Sequence, residues 1–184
     1  LTVRLFAGSG DVVVSSLGGY PTFHYHVAGF GAQLKTTPYV RDREDLDGLL
    51  DLARQSRAKI VYLANPDNPM GTWHSGPDVA AFARALPPST LLVLDEAYCE
   101  TAPVGTLPDL PSDMPNLLRF RTFSKAYGLA GARLGYVFGD ARLITGYDKV
   151  RNHFGISRIS QAAGIAALED QDYLHSTVGK IIAA

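Results

Sequence analysis

Hydrophobic positions along the chain fall into two patterns that take turns. Short β-branched or aliphatic runs bounded by turn residues predict buried strands over Asp11–Ser15, Lys59–Leu63, Leu91–Leu94 and Leu117–Thr122. Gln33–Thr37 and Arg133–Phe138 are strand-like as well. Between them, helical spacing predicts Leu1–Phe6, Thr22–Gly29, Asp45–Ser56, Ala141–Arg151, Ile159–Leu168 and Tyr173–Ile182. Asp45–Ser56 places Leu46, Leu49, Leu50 and Ala53 on one face. A further helix opens at Ser75-Gly-Pro-Asp78, an N-cap with an acidic residue three positions on, and runs to Leu86. Gly8-Ser-Gly10 reads as the glycine C-cap of the first helix, and Pro21 introduces the second. Asn65-Pro-Asp-Asn-Pro-Met-Gly71 holds too many prolines for regular structure and predicts a rigid loop at a strand end. Pro103 to Pro115 reads as a Pro-rich surface segment.

Strands alternating with helices through short turns imply an α/β domain with a mostly parallel sheet. Ligands of such sheets bind at the carboxyl ends of the strands. Tyr20, Asn68, Asp95, Tyr98 and Lys125 all fall just beyond a predicted strand end.

Composition narrows the class. A length of 184 residues suits one domain, with 46% hydrophobic and 19% charged residues and a formal net charge of -1. No basic stripe points to nucleic acid or to an anionic membrane. The single cysteine, Cys99, excludes an internal disulfide framework and suits a reducing, cytoplasmic compartment. No apolar run approaches the roughly 20 residues that span a bilayer. Both termini stop on helical patterns without caps, so the chain is expected to be truncated at each end.

Candidate chemistry centres on Arg121-Thr-Phe-Ser-Lys-Ala-Tyr-Gly-Leu-Ala-Gly-Ala-Arg-Leu-Gly-Tyr136. Lys125 follows a strand directly, and its apolar neighbours Phe123, Tyr127 and Leu129 suggest a desolvated amine, the condition under which a lysine becomes a nucleophile. Arg133 lies eight positions on, across small residues that leave room for a bulky group. Each residue alone has a plainer reading. Lys125 and Arg133 could be surface cations, Asp95 a turn or cap residue, Asn68 a turn residue, and Tyr20 and Tyr98 packing tyrosines. Four apolar residues followed by Asp95-Glu96 also fit the magnesium strand of phosphate-loop ATPases. That reading lacks its Gly-x-x-x-x-Gly-Lys cradle, since the one Gly-Lys pair is Gly179-Lys180. His24 and His26 have no carboxylate or cysteine at ligand spacing, which leaves a metal site unsupported. Cys99 has no adjacent histidine and reads as a small apolar filler.

Taken together, Tyr20, Asn68-Pro-Met-Gly71, Asp95-x-x-Tyr98, Thr122-x-Ser124-Lys125 and Arg133 resemble the fold type I pyridoxal-phosphate aminotransferases. The likeness is strongest to the histidinol-phosphate aminotransferase-like branch and covers nearly the whole chain. There the loop typically reads Asn-Pro-Asn-Asn-Pro-Thr-Gly; Met70 departs from it. The resemblance implies a three-layer α/β/α large domain over residues 1–184 and a homodimer. It also implies pyridoxal 5'-phosphate as cofactor, with an amino acid or histidinol-phosphate-like amine and a 2-oxo acid as substrates. Lys125 would hold the cofactor aldehyde as a Schiff base and then serve as general base. Asp95 would face the pyridine nitrogen, Asn68 and Tyr98 the phenolate oxygen, and Tyr20 the ring face. Thr122, Ser124 and Arg133 would share the phosphate, with Arg133 the strongest contact.

The same resemblance places further parts outside this stretch: a Gly-rich phosphate turn upstream of Leu1, a carboxylate-binding arginine beyond Ala184, and an N-terminal arm. Two or three charge-assisted hydrogen bonds fewer, at about 1.5–3 kcal/mol each, would make the isolated chain a poor enzyme. A decarboxylase on the same scaffold, and a non-catalytic large-domain piece acting only in subunit association, stand as alternatives.

Overall fold

A computed structural model describes residues 1–184. Six strands form one sheet: β1 (Val12–Ser16), β2 (Gln33–Thr37), β3 (Ile60–Ala64), β4 (Leu91–Asp95), β5 (Leu117–Thr122) and β6 (Gly135–Gly139), in the order β2-β1-β3-β4-β5-β6. The first five are parallel, and β6 runs antiparallel to β5. The helices are α1 (Thr2–Phe6), α2 (Pro21–Gly29), α3 (Leu46–Ser56), α4 (Gly76–Ala85), α5 (Ala141–Tyr147), α6 (Arg158–Glu169) and α7 (Gln171–Ala183).

The strand sequences build two cores because successive side chains point to opposite faces. Val14, Val61, Leu63, Leu92, Leu94 and Leu117 meet α3 and α4 through Leu49, Ala53, Val79 and Phe82. Val13, Ile60, Tyr62, Leu91, Val93 and Leu118 meet α1, α2 and α5 through Val3, Val27, Phe23 and Ile144. The result is three layers, helices over each face of a mostly parallel sheet, as the alternation of elements predicts.

Local signals succeed where a side chain can cap. Ser75 Oγ accepts from the Asp78 amide at 3.2 Å and starts α4, and Pro21 occupies the first turn of α2. Three expectations need correction. The C-cap of α1 is Ala7 in extended conformation, because Gly8 instead turns with Asp11, whose Oδ2 accepts from the Gly8 amide at 3.0 Å. The Pro103–Pro115 segment is not purely surface, since Leu110 inserts into the α3–α4 core. Gly76 passes so close to this segment that a Cβ there would clash with the Leu107 carbonyl oxygen. The helix expected over Ala141–Arg151 stops at Tyr147, whose hydroxyl is 2.8 Å from Thr2 Oγ1.

Sheet geometry decides where the chemistry collects. The parallel strands β3, β4 and β5 deliver their following loops to one end. Because β6 returns antiparallel, its first residues lie at that same end, beside Thr122. Lys125 and Arg133, on either side of the β5–β6 connection, are therefore brought back together.

Candidate active site

All eight residues singled out in the sequence line a single cavity of about 650 Å³: Tyr20, Asn68, Asp95, Tyr98, Thr122, Ser124, Lys125 and Arg133. Loops after four different strands converge there, with the start of β6 closing the far side.

Asp95 ends β4 with its side chain on the face of Leu91 and Val93. Its Oδ2 accepts from the Tyr62 hydroxyl at 2.7 Å and its Oδ1 from the Ala97 amide at 3.0 Å. Burial raises its carboxyl above the usual carboxylate range, opposed by the Tyr62 and Ala97 hydrogen bonds and by the positive charge of Lys125. Asn68 and Tyr98 meet directly, the Asn68 amide donating to the Tyr98 hydroxyl at 3.3 Å. Lys125 Nζ lies 4.9 Å from the centre of the Tyr98 ring, within cation–π range.

The lysine loop is tied to itself. Gly128 N–H donates to the Lys125 carbonyl at 2.9 Å, and Leu129 N–H to the Phe123 carbonyl at 2.9 Å. Gly128 takes φ +69°, which a side chain would resist. Thr122 Oγ1 accepts from the Ser124 amide at 3.1 Å and donates to the Leu134 carbonyl at 3.3 Å. At Gly135 the return strand passes so close to β5 that a Cβ would sit 2.8 Å from the Arg121 carbonyl oxygen.

One expectation fails here. The apolar neighbours of Lys125 do not enclose it: Phe123 and Ala126 point into the fold at 4% and 1% exposure, while Lys125 itself is exposed. In this chain the amine stands at the open mouth of the cavity, without a hydrogen-bond partner. Arg133 is exposed too and bonds only the Ala130 carbonyl, at 3.0 Å. Its backbone is left-handed, at φ 51° and ψ 46°, a costly conformation for a residue with a Cβ.

Comparison with known proteins decides the family. The sequence model described as aminotransferase class I and II matches residues 1–184. The chain belongs to this family. Among curated relatives, histidinol-phosphate aminotransferase 1 of Bacillus cereus is 37% identical over 183 residues, covering 96% of this chain and 48% of that protein. The histidinol-phosphate aminotransferase of Anaeromyxobacter sp. is 40% identical over 178 residues, covering 95% and 49%. A solved structure, the histidinol-phosphate aminotransferase of Sinorhizobium meliloti in complex with pyridoxal-5'-phosphate, is 60% identical. It superimposes with a TM-score of 0.96 over 98% of this chain and 50% of that one. The chain thus spans about half the length of the relatives it matches.

Against the aminotransferase loop pattern, Asp67 is a departure alongside Met70. Asp67 is buried, and its Oδ2 accepts from the Tyr39 hydroxyl at 3.0 Å and the Met70 amide at 3.3 Å, while Oδ1 has no partner. Burial raises its carboxyl, and these hydrogen bonds oppose the rise. Nearby, Glu44 is 3% exposed. It occupies the split where β1 and β3 stop pairing after Val14–Val61. There Oε1 accepts from the Ala64 amide at 2.8 Å and Oε2 from the Ser16 hydroxyl. Burial pushes its carboxyl up to about 7. Glu44 thus bridges the ends of β1 and β3 at this reversal of strand order.

A third carboxylate supports the lysine strand. Glu96 is fully buried, with Oε1 accepting from Arg119 Nε at 3.0 Å and Oε2 from Arg121 Nε at 3.0 Å. One anion thus holds two guanidinium groups, and Arg121 also lines the cavity. Sequence reasoning missed Glu44, Tyr62, Glu96 and Arg121. A signal existed for Tyr62, the one hydroxyl inside an otherwise aliphatic strand, and for the arginines, two cations alternating along β5.

The cavity suits an aromatic cation with an anionic tail. A carboxylate with a free lone pair sits on its floor, phenol rings line its walls, and Lys125, Arg121 and Arg133 outnumber the one acid, Asp95. That donor set fits pyridoxal phosphate.

Proposed function

We propose that this chain is the large, cofactor-binding domain of a pyridoxal-phosphate-dependent aminotransferase. It would transfer an amino group between a histidinol-phosphate-like amine, or an amino acid, and a 2-oxo acid. The observation that carries this reading is the convergence of all eight residues on one cavity in a chain of aminotransferase family. The names of the relatives support histidinol phosphate as the amine. A homodimer in the cytoplasm fits the family and the lone, buried Cys99; no helix is long and apolar enough to cross a membrane.

When bound, the cofactor supplies an electron sink for the negative charge that develops at the substrate α-carbon. The chain's own residues do the rest. Lys125 would supply the amine that anchors the aldehyde and, once released, would take the proton from the α-carbon and deliver it to the former aldehyde carbon, two bonds away. Its exposed position at the cavity mouth gives it room to swing between those tasks. Asp95 would face the pyridine nitrogen and keep it protonated. Asn68 and Tyr98, already hydrogen-bonded to each other, would hold the phenolate side of the ring, and Tyr20 would cover its face. Thr122, Ser124 and Arg133 would take the phosphate, where paired charges make the strongest contact.

The test is optical. Pyridoxal phosphate added to the full chain should produce a visible absorption band, and histidinol phosphate should bleach it in the absence of a 2-oxo acid. No band at millimolar cofactor would defeat the reading in favour of a non-catalytic large-domain piece. A band that only other amines bleach would defeat the substrate assignment.

A further inference from the structure

Tyr62 stands apart from every other side chain near the cavity. It is an aromatic residue in the middle of a fully buried strand, 6% exposed, and its hydroxyl ends on Asp95 Oδ2 at 2.7 Å. The contact follows from register. Ala64 pairs with Asp95 and Tyr62 with Val93, so Tyr62 and Asp95 are diagonal neighbours on one face, a distance that only a long side chain spans. Phe23 of α2 fixes the ring by stacking on it, centroids 4.3 Å apart and planes 20° from parallel. Tyr20 is the N-cap of the same helix, so one aromatic residue at its start faces the cavity and another, one turn on, meets the residue behind Asp95.

Resting on the cofactor reading above, we infer that Tyr62 is a positioning residue for this site: its hydroxyl holds Asp95 ionised and aimed into the cavity, ready for the pyridine nitrogen.

The electrostatics require such a partner. Burial disfavours the Asp95 anion and Glu96 on its own strand end adds negative charge; Glu44, across the sheet end, keeps its proton up to about 7 and adds charge only above that. His26 of α2 lines the smaller cavity behind Asp95. Three groups favour the anion: the Tyr62 hydroxyl, the Ala97 amide and the charge of Lys125. Of these, Lys125 is exposed and is committed to the reaction, and the Ala97 amide occupies only Oδ1. Tyr62 supplies the second fixed donor. Burial and the neighbouring carboxylates hold its own phenol well above the ordinary tyrosine range, so it stays a donor at every working pH. With one donor on each oxygen, the remaining lone pairs of Asp95 are directed rather than free to rotate.

Tyr62→Phe in the full chain removes this donor and keeps the stacked ring. Equilibrium binding of pyridoxal phosphate, followed by absorbance over a pH series, should weaken about tenfold, with its acid limb moved to higher pH. In an Asp95→Asn background, Tyr62→Phe should change affinity by less than about twofold, because its effect runs through Asp95. Phe23→Leu, which keeps the hydroxyl and loosens the ring, should shift the single-variant result in the same direction by a smaller amount. An unmoved acid limb with unchanged affinity in Tyr62→Phe overturns the inference, as do losses that add in the double variant. Should Tyr62→Phe fail to fold, an unchanged Phe23→Leu overturns it as well. Absence of binding by the unsubstituted chain removes the cofactor reading first, and this inference with it.

Discussion

The Asn68 amide and the Tyr98 hydroxyl meet at 3.3 Å, joining the loop after β3 to the loop after β4 across the cavity. Tyr98→Phe keeps the ring that faces Lys125 and removes only this hydroxyl. It should weaken pyridoxal phosphate binding about two- to tenfold, the scale of one neutral hydrogen bond, and leave the melting temperature almost unchanged. Titration of the visible band measures the first, and calorimetry the second.

Arg133 joins strain to binding. At φ 51° its backbone is left-handed, where a Cβ costs about 1–2 kcal/mol. Arg133→Gly should therefore be more stable than Arg133→Ala by about 1 kcal/mol in urea unfolding. Both should lose pyridoxal phosphate affinity by about tenfold or more. Affinity for pyridoxal, which has no phosphate, should change little. Equal stabilities would show that the loop conformation relaxes without the arginine.

Glu96 is the anion that two arginines share, and it is fully buried. Glu96→Ala would leave Arg119 and Arg121 uncompensated, at a cost of about 3–5 kcal/mol in folding stability. Glu96→Gln keeps an acceptor and should lose less. Urea denaturation of both variants tests the ordering.

Glu44 gives stability a pH dependence with a definite sign. Burial raises its carboxyl from the ordinary 4.5 to about 7, so the folded chain holds a proton that the unfolded chain releases. Its contribution is fully present below the lower value and falls as pH rises through the window to about 7. The whole effect is on the order of 3 kcal/mol. Glu44→Gln, which keeps the neutral hydrogen-bonding shape, should gain stability relative to the parent as pH rises from 5 to 8 (roughly the span of the window). A difference that stays constant with pH would contradict the assignment.

Much of this was legible in the sequence because strands and the motifs that follow them are local. Lys59–Leu63 and Leu91–Leu94 announce themselves as buried runs, and Asn68, Asp95 and Lys125 follow such runs directly. What stayed hidden depends on register and on distant partners. Nothing adjacent to Glu44 shows that its carboxylate reaches the Ala64 amide, 20 positions away. Nothing near Tyr62 shows that strand pairing sets it diagonal to Asp95, 33 positions on. Lys125 misled in the opposite direction. Its apolar neighbours promised desolvation, yet Phe123 and Ala126 turn into the fold and leave the amine outside.

The central claim is that Lys125 anchors the cofactor. Borohydride reduction of the full chain with pyridoxal phosphate, followed by peptide mapping, tests it against the four other lysines, Lys35, Lys59, Lys149 and Lys180. All five are exposed, so exposure alone would spread the label among them. The account predicts a single phosphopyridoxyl group on Lys125, lost in Lys125→Ala and kept in Lys59→Ala. Label on another lysine, or spread evenly over all five, would contradict it.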